Sequence, residues 1–254
     1  MVIILDLGGV LMRHNMPECL ARFERLLGKE QMAQVLGLQS NAEGTLDSLV
    51  DKYEKGDIST DTFVGTILAH SYEGATREEV VAAWNSMHGG IPEERLQRIQ
   101  QWADAGHHLY MLSNNNDLHW HHVFSHYDLS MFRHCYASHL LHLAKPDPRI
   151  YQAVDQAIRA QEGLQETPQP VASFKEVRLE VYPDTIGSRT IVNQQGMHGL
   201  IGTESLIPQP LGALADNHPF YFVDDLEANR LPAEQLGWRT FASLDELACA
   251  LMVQ

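Results

Sequence analysis

Val2–Val10 reads VIILDLGGV, an apolar run that ends at Asp6 and breaks straight into glycine. A carboxylate at the C-terminal tip of a buried strand, held on a flexible glycine turn, lies where an open α/β sheet presents its chemistry. From this run alone, a turn carboxylate that caps the next segment explains Asp6 equally well. The rest of the chain has to decide between the functional and the structural interpretation.

Composition limits the kind of protein. With 254 residues, 44% of them apolar, the chain can bury one substantial core plus a smaller appendage. The formal net charge of -15 opposes approach to a nucleic-acid backbone or an anionic membrane, so neither is an expected partner. A small anionic substrate remains open if a cation screens its charge locally.

Cysteine usage and hydropathy indicate the compartment. Cys19, Cys135 and Cys249 are odd in number and widely spaced, and they match neither a CxxC nor a zinc pattern. No apolar stretch reaches the roughly 20 residues needed to span a bilayer, and Asp6 interrupts the first apolar run before it could serve as a signal sequence. We expect free thiols in a reducing, cytoplasmic environment.

The first third of the chain has a helical pattern, without strand alternation. Thr60 and Thr76 stand at expected N-caps, and glycines punctuate the helix ends. The predicted helices are Pro17–Leu27, Glu30–Leu36, Thr45–Lys55, Thr60–Ser71 and Arg77–Met87. Residues 15–88 are therefore expected to form a small helical domain inserted into a core made of residues 1–14 and 89–254.

Beyond Gly89-Gly90 the pattern changes to alternating strands and helices. Predicted strands after the first are His108–Leu112, Arg133–Ala137, Phe220–Val223 and Arg239–Phe241. Predicted helices are Pro92–Ala105, Asp117–His126, Asp147–Arg159, Glu227–Leu236 and Leu244–Met252. This order predicts an α/β fold, a Rossmann-like doubly wound parallel sheet with right-handed crossovers.

Residues 161–218 break this rhythm with glutamine, proline and glycine. Two alternating runs, Val177–Tyr182 and Ser188–Asn193, predict a β-hairpin within a loop-like insertion. The insertion leaves a helix and returns to a strand, so its roots lie at the N-terminal edge of the sheet, away from the edge that binds ligands. A homo-oligomer contact is therefore a more expected role than a lid over the subunit's own site, although a long excursion could fold back.

Polar groups follow several predicted strands of the core: Asp6, Ser113-Asn114, Lys145 and Asp224-Asp225. A parallel sheet brings such positions together at one edge, whatever their separation in sequence. Singly, each has an ordinary structural explanation as a cap, a solvated charge or a turn. Their joint placement on the ligand-binding edge favours a functional site.

These segments resemble the four motifs of the haloacid dehalogenase (HAD) superfamily, in the expected order and strand contexts. The motifs stand here as Leu5–Val10, Leu112–Asn114, Lys145–Asp147 and Phe222–Asp225, the last followed by Asn229. The helical insertion is similar to that superfamily's first type of cap. The residues of the first two motifs are similar to those of a bacterial sugar-phosphate phosphatase branch, which is related to the amino-terminal domain of soluble epoxide hydrolases. The resemblance implies a magnesium-dependent phosphatase whose partner is a small phosphorylated metabolite.

The same resemblance implies a nucleophile and a metal site. Asp6 would attack phosphorus and form an aspartyl-phosphate. Magnesium prefers hard oxygen ligands, which suits the Asp6 and Asp225 carboxylates with the backbone carbonyl of Gly8. Asp224 would support the metal shell through water or hydrogen bonds.

Three further groups would bind the phosphoryl oxygens. Ser113 would donate its hydroxyl and Asn114 its backbone N–H. The Lys145 ammonium would offset the negative charge that Asp6 and the phosphate bring together.

One position departs from the superfamily pattern. Most of its phosphatases carry a second aspartate, the general acid and base, where this chain has Gly8; such a group is worth roughly a hundredfold to ten-thousandfold. Three explanations are open: substrates with good leaving groups, a substitute acid or base such as His14, or a weak catalyst that only binds its ligand. The similar branch also carries glycine here and is regarded as catalytic, which favours the first.

Other functions compete with this interpretation. A 2-haloacid dehalogenase also uses an aspartate nucleophile but has no use for a second metal-binding carboxylate such as Asp225. A non-catalytic binding or oligomerisation module would use the insertion as its surface. His119, His122 and His126 lie at helical spacing and could share zinc, although nothing local completes the ligand set and capping or solvated histidines are the ordinary explanation.

Overall fold

A computed structural model describes residues 1–37, 48–164 and 219–252. Its centre is a five-stranded sheet of β1 (Val2–Leu5), β2 (His108–Ser113), β3 (Phe132–Ala137), β4 (Tyr221–Val223) and β5 (Arg239–Phe241). The strand order is β3-β2-β1-β4-β5, and every neighbouring pair is parallel. The predicted α/β fold with a parallel sheet is confirmed.

The helices fall into two groups along the chain. Between β1 and β2 lie α1 (Met16–Leu27), α2 (Lys29–Val35), α3 (Leu49–Glu54), α4 (Thr60–His70), α5 (Arg77–Asn85) and α6 (Glu93–Asp104). The later helices are α7 (Asp117–His126), α8 (Ser138–Leu141), α9 (Pro148–Glu162), α10 (Glu227–Gln235) and α11 (Leu244–Met252).

Side-chain alternation along β1 explains why the sheet is covered on both faces. Ile3 and Leu5 join a core that contains residues of α6, α7 and α11, whereas Val2 and Ile4 join a second core with residues of α9 and α10. Successive strand residues point to opposite faces, so an uninterrupted apolar run such as VIIL suits a strand buried on both sides. The result is a three-layer arrangement with β1 in the middle.

Helices α1 to α5 form a separate apolar cluster. Tyr53 stacks on Phe63 with ring centroids 4.2 Å apart, and Trp84 lies 4.9 Å from Phe63. Aromatic contacts of this kind add roughly 0.5–1.5 kcal/mol beyond the area that they bury. The cluster gives these helices a core of their own beside the sheet.

Two helix starts in this region differ from the sequence prediction. The helix predicted from Thr45 begins at Leu49, because Ser48 is its N-cap in a capping box: Ser48 Oγ accepts from Asp51 N at 3.0 Å. Thr60, predicted as an N-cap, is the first residue of α4, and Ser59 caps that helix instead. Serine and threonine side by side satisfy the same cap rule, so sequence alone misplaced it by one residue.

Other boundaries also differ. Helix α9 continues through Gln161, where the insertion was predicted to begin, and ends at Glu162. The short helix α8 was not predicted. The proposed hairpin at 177–182 and 188–193 lies outside the described residues. Within those residues, the helices are too short or too polar for any of them to span a bilayer.

A buried ion pair lies within α9, and one of its members also bonds to Trp238, the residue before β5. Arg159 Nε donates to Asp155 Oδ2 at 2.6 Å, and Trp238 Nε1 donates to Asp155 Oδ1 at 2.8 Å. Both charged side chains are almost fully buried, at 0% and 4% exposure. The pair has an exposed counterpart at the same helical spacing in Glu18 and Arg22.

We predict that Asp155→Ala lowers the free energy of unfolding by about 3–5 kcal/mol, because it leaves the Arg159 guanidinium buried without its counter-charge. Urea denaturation measures this. Glu18→Ala, which breaks the exposed pair, should leave stability almost unchanged. Equal effects of the two substitutions would contradict the burial argument.

Candidate active site

The candidate site lies at the carboxyl edge of the sheet, where the strand order reverses between β1 and β4. Leu5 pairs with both Met111 and Val223, so Asp6 and Asp224 follow their strands at the same level on either side of this switch point. Ser113 ends the neighbouring strand β2. Crevices at such switch points are the general ligand sites of open α/β sheets.

Lys145 reaches this edge from the loop after α8 and lies between two carboxylates. Its Nζ is 3.1 Å from Asp6 Oδ1 and 2.5 Å from Asp224 Oδ2, and the residue is only 4% exposed. A buried ammonium needs such partners, since an unpaired one would carry a large desolvation cost. The structure thus brings together three of the residues that the sequence singled out.

Asp224 has a full set of partners. Besides Lys145, it accepts hydrogen bonds from Leu226 N at 3.0 Å and from Asn229 Nδ2 at 3.0 and 3.1 Å. Asn229 was noticed in the sequence beside the last motif, and the structure shows its contact. Because its oxygens are already engaged, Asp224 is suited to hold Lys145 in place.

Asp6, Asp224 and Asp225 each offer a carboxylate oxygen within 4.8 Å of the others. Burial raises the pKa of Asp6 to about 6; the neighbouring Lys145 opposes the rise and Asp224 adds to it. Three neighbouring carboxylates, two of them in contact with the Lys145 ammonium, leave an excess of negative charge that a cation would neutralise. Oxygen donors at this separation fit a hard divalent ion such as Mg²⁺.

Gly9 is required for Asp225 to approach. Its φ of +75° lies in the left-handed region, and a Cβ at this position would lie 2.3 Å from Asp225 Oδ2. Only glycine accepts both constraints without strain. Gly9 therefore leaves the space that the exposed Asp225 carboxylate needs to lie next to Asp6 and Asp224.

Ser113 and Asn114 continue β2 into the site. Ser113 is buried, and its Oγ donates to the Asn114 carbonyl at 3.3 Å, a long local bond. The Asn114 side chain pairs with the backbone of Lys145 in both directions, accepting from its N–H and donating to its carbonyl at 2.8 Å each. This two-way pairing fixes the loop that carries Lys145 against the end of β2.

Gly8 and His14 form a close pair. A Cβ built on Gly8 would lie 2.6 Å from Nε2 and 2.7 Å from Cε1 of His14. The His14 ring therefore occupies the space that a side chain at position 8 would need. The His14 residue as a whole is exposed to solvent.

The helices of the α1–α5 cluster dock on the segment that follows β2. Trp84 Nε1 donates to Asn116 Oδ1 at 3.0 Å, Thr60 Oγ1 donates to Asp117 Oδ2 at 2.9 Å, and Leu118 N donates to Tyr53 Oη at 3.1 Å. These contacts were not anticipated from sequence. Asn116 carried a signal as the N-cap of α7, but nothing in the sequence indicated its partner.

The histidines at helical spacing have structural roles. His119 is buried, contacts the Trp84 carbonyl through Nε2 at 2.9 Å and stacks on the Trp84 ring. His126 Nδ1 lies 2.7 Å from the His122 carbonyl. In the described ranges, the acidic cluster of Asp6, Asp224 and Asp225 is the sole group of three or more such ligands that could hold a metal. The zinc alternative gains no support.

Comparison with known proteins places this architecture. No protein-family model matches the chain. It is similar to a HAD family enzyme, bt-2542 from Bacteroides thetaiotaomicron, in a complex with magnesium and inorganic phosphate, with 22% identity, a TM-score of 0.59, and coverage of 94% of this chain and 92% of that one. It is also similar to a predicted HAD-like family hydrolase from Porphyromonas gingivalis, with 20% identity, a TM-score of 0.62, and coverage of 98% and 97%. The chain therefore shares the fold of these proteins.

We predict that Lys145→Met lowers the free energy of unfolding by about 3–5 kcal/mol at pH 7 in the presence of a chelator, since it leaves Asp6 and Asp224 without their counter-charge. The deficit should shrink as the pH falls toward about 5, because the already raised Asp6 pKa means that its carboxyl becomes neutral there. Denaturant unfolding at both pH values measures this. The exposed Lys29→Met should behave as wild type, and a deficit independent of pH would contradict the charge argument.

Proposed function

We propose that this chain, which has the fold of HAD family enzymes, is a magnesium-dependent hydrolase that cleaves phosphate monoesters of small metabolites. The observation that carries the proposal is the buried Lys145 held between Asp6 and Asp224, beside the additional carboxylate of Asp225. This set supplies a nucleophile, a cation for the phosphoryl group and a metal site within one crevice.

The metal ligands we propose are the carboxylates of Asp6 and Asp225 with the backbone carbonyl of Gly8. Asp224 is left out of direct ligation because Lys145, Leu226 and Asn229 already engage its oxygens. Its role is to hold Lys145 and so keep the shape of the site. When bound, Mg²⁺ supplies positive charge to the phosphoryl oxygens.

The proposed reaction has two steps at phosphorus. An Asp6 carboxylate oxygen attacks and the ester oxygen leaves, which gives an aspartyl-phosphate; water then attacks phosphorus and releases Asp6. The Lys145 ammonium, the Ser113 hydroxyl and the Asn114 backbone N–H bind the equatorial oxygens. Charge spreads over those oxygens in the transition state, so the side chains act chiefly by position and electrostatics.

His14 is the group we propose to act in place of the missing second aspartate in the second step. Its ring lies over Gly8, in the direction from which a side chain at that position would act. An imidazole there can accept a proton from the water that hydrolyses the aspartyl-phosphate. The absence of a side chain at Gly8 is what makes room for it.

The helices within residues 15–88 are proposed to act as a cap. They dock on Asn116, Asp117 and Leu118, immediately beyond the proposed phosphate ligands. A cover at this place excludes water from the attacking oxygen and shapes the space for the leaving group. An oligomer contact through 161–218 stays a proposal from sequence, because residues 165–218 lie outside the described ranges.

We predict that Asp6→Asn abolishes magnesium-dependent phosphate release from a sugar 1-phosphate, a sugar 6-phosphate and an aryl phosphate, because an amide oxygen cannot replace the nucleophile. Phosphate assays on the full chain measure this, and Asp128→Asn, an exposed carboxylate between α7 and β3, is the control. EDTA should stop the wild-type activity; chloride release from a 2-haloacid that persists in EDTA would indicate a dehalogenase instead. Unchanged behaviour of Asp6→Asn in every assay would indicate a non-catalytic module.

We predict that Mg²⁺ stabilises the wild-type protein by about 2.7 kcal/mol at a concentration 100 times its Kd, and that Asp225→Asn loses most of this gain at the same concentration. The substitution removes one charged oxygen ligand from a site with few of them. Thermal unfolding with and without Mg²⁺ measures the effect without any substrate. Asp128→Asn should retain the full shift, and an equal shift in Asp225→Asn would place the metal elsewhere.

A further inference from the structure

A cavity of about 380 Å³ lies between α3 and the loop that carries Lys145, one of the proposed phosphate ligands. Asn114 and Lys145 line it on the sheet side, together with His142, and Glu54 and Lys55 line it from the end of α3. Its size falls within the range of sites for small ligands. The cavity thus lies between the end of α3 and the loop that carries Lys145.

Glu54 is held close to the end of β2 by backbone contacts. Ser138 Oγ donates to the Glu54 carbonyl at 2.5 Å and accepts from Asn115 N at 2.9 Å, so one hydroxyl joins α3 to the loop that follows Ser113. A Cβ on Gly56, which has a φ of +70°, would lie 2.3 Å from the His139 carbonyl oxygen. Glycine is required there for this close approach.

The Glu54 carboxyl group is not used by the fold. It is partly buried, and it has no hydrogen-bond or ion-pair partner among the residues that the structure describes. Burial and the nearby Asp51 raise its pKa to about 7. A carboxyl group with a pKa raised to this value is protonated up to about neutral pH, and its proton can be donated to a ligand because no protein group among those described residues accepts it.

In-line displacement decides where a proton donor is needed. The leaving oxygen lies opposite the attacking Asp6 oxygen across phosphorus, with the equatorial oxygens bound by Lys145, Ser113 and Asn114 between them. The cap helices lie on the side opposite the sheet edge, and two of their carboxyl groups, Asp51 and Glu54, line the cavity that Asn114 and Lys145 also line. Asp51 is engaged in the capping box with Ser48, which leaves Glu54 as the candidate donor.

We propose that Glu54 is the general acid that protonates the leaving oxygen, a role that Gly8 cannot perform. This inference rests on the proposed function of the site. As the bond from Asp6 to phosphorus forms, the bond from phosphorus to the ester oxygen breaks; that oxygen keeps the electron pair, takes the Glu54 proton and departs as an alcohol. Glu54 becomes a carboxylate and regains a proton from solvent, while the water proton of the second step goes to His14.

Several charged and titratable groups share the cavity with Glu54 and set its charge balance. They are Asp51 and Lys55 on its own element, and His142, Lys145, Asp147 and Arg149 from the facing loop and helix start. Asp147 is paired with Arg149 at 2.5 Å, so that pair contributes little net charge. The acid function requires the protonated form and is therefore lost as the pH rises above about 7.

The test compares leaving groups in Glu54→Gln, a substitution of the same shape that cannot give up a proton. For a sugar 6-phosphate, whose alkoxide leaves poorly, we expect kcat/KM to fall by about a hundredfold to ten-thousandfold. For 4-nitrophenyl phosphate, whose leaving oxygen needs little protonation, we expect a fall of less than about threefold. Asp57→Asn, an exposed carboxylate three residues along and outside the cavity, is the matched control.

Equal losses on both substrates, or no loss on the sugar phosphate, would overturn the assignment. A second measurement uses the wild-type protein alone: kcat/KM for the sugar phosphate should decline above about pH 7 while that for the aryl ester does not, and parallel profiles would also overturn it. Failure of the proposed function itself is distinct, because the wild-type protein would then show no magnesium-dependent turnover of either ester, or Asp6→Asn would retain that turnover.

Discussion

The ion pairs of Lys145 with Asp6 and Asp224 are the constraint on which the site depends. Two carboxylates at the tips of neighbouring strands repel each other, and burial makes that repulsion more costly. The ammonium between them lowers the cost, and Asn229 satisfies the oxygens of Asp224 that remain. Asp225 adds negative charge at the exposed side, which leaves the cluster able to accept a divalent cation.

Two loops must be held still for this geometry to exist, and polar contacts hold them. Asn114 pairs with the Lys145 backbone in both directions, and Ser138 joins the loop after β2 to the end of α3. Trp84 and Asn116 add a contact from the cap side. Ser138 and Asn116 thus contact the α1–α5 helices close to the segment that Asn114 holds, so in our proposal substrate recognition and the position of these helices are physically linked.

Gly8 shows how a residue changes meaning between sequence and structure. In the sequence, Gly8 stands where a general acid is expected. In the structure, the His14 ring occupies the space that a side chain at position 8 would need. In our proposal the two roles of one aspartate are divided, with His14 as the base for the attacking water and Glu54 as the acid for the leaving oxygen. Division of this kind relieves one side chain of serving opposite protonation states in successive steps.

The sequence by itself determined the strands and their parallel arrangement, because hydrophobic periodicity is a local property. It also determined the edge at which Asp6, Ser113, Lys145 and Asp224 meet, because all parallel strands end at the same edge of a sheet. It placed the start of α3 at Thr45, whereas Ser48 caps that helix, and it placed the cap of α4 at Thr60, next to the actual cap Ser59. Only the tertiary structure decided that His14 lies over Gly8 and that Asn114 holds Lys145. It also decided that Glu54 lines one cavity with Asn114 and Lys145. Those contacts join residues far apart in the chain, and their existence depends on packing distances that no local pattern encodes.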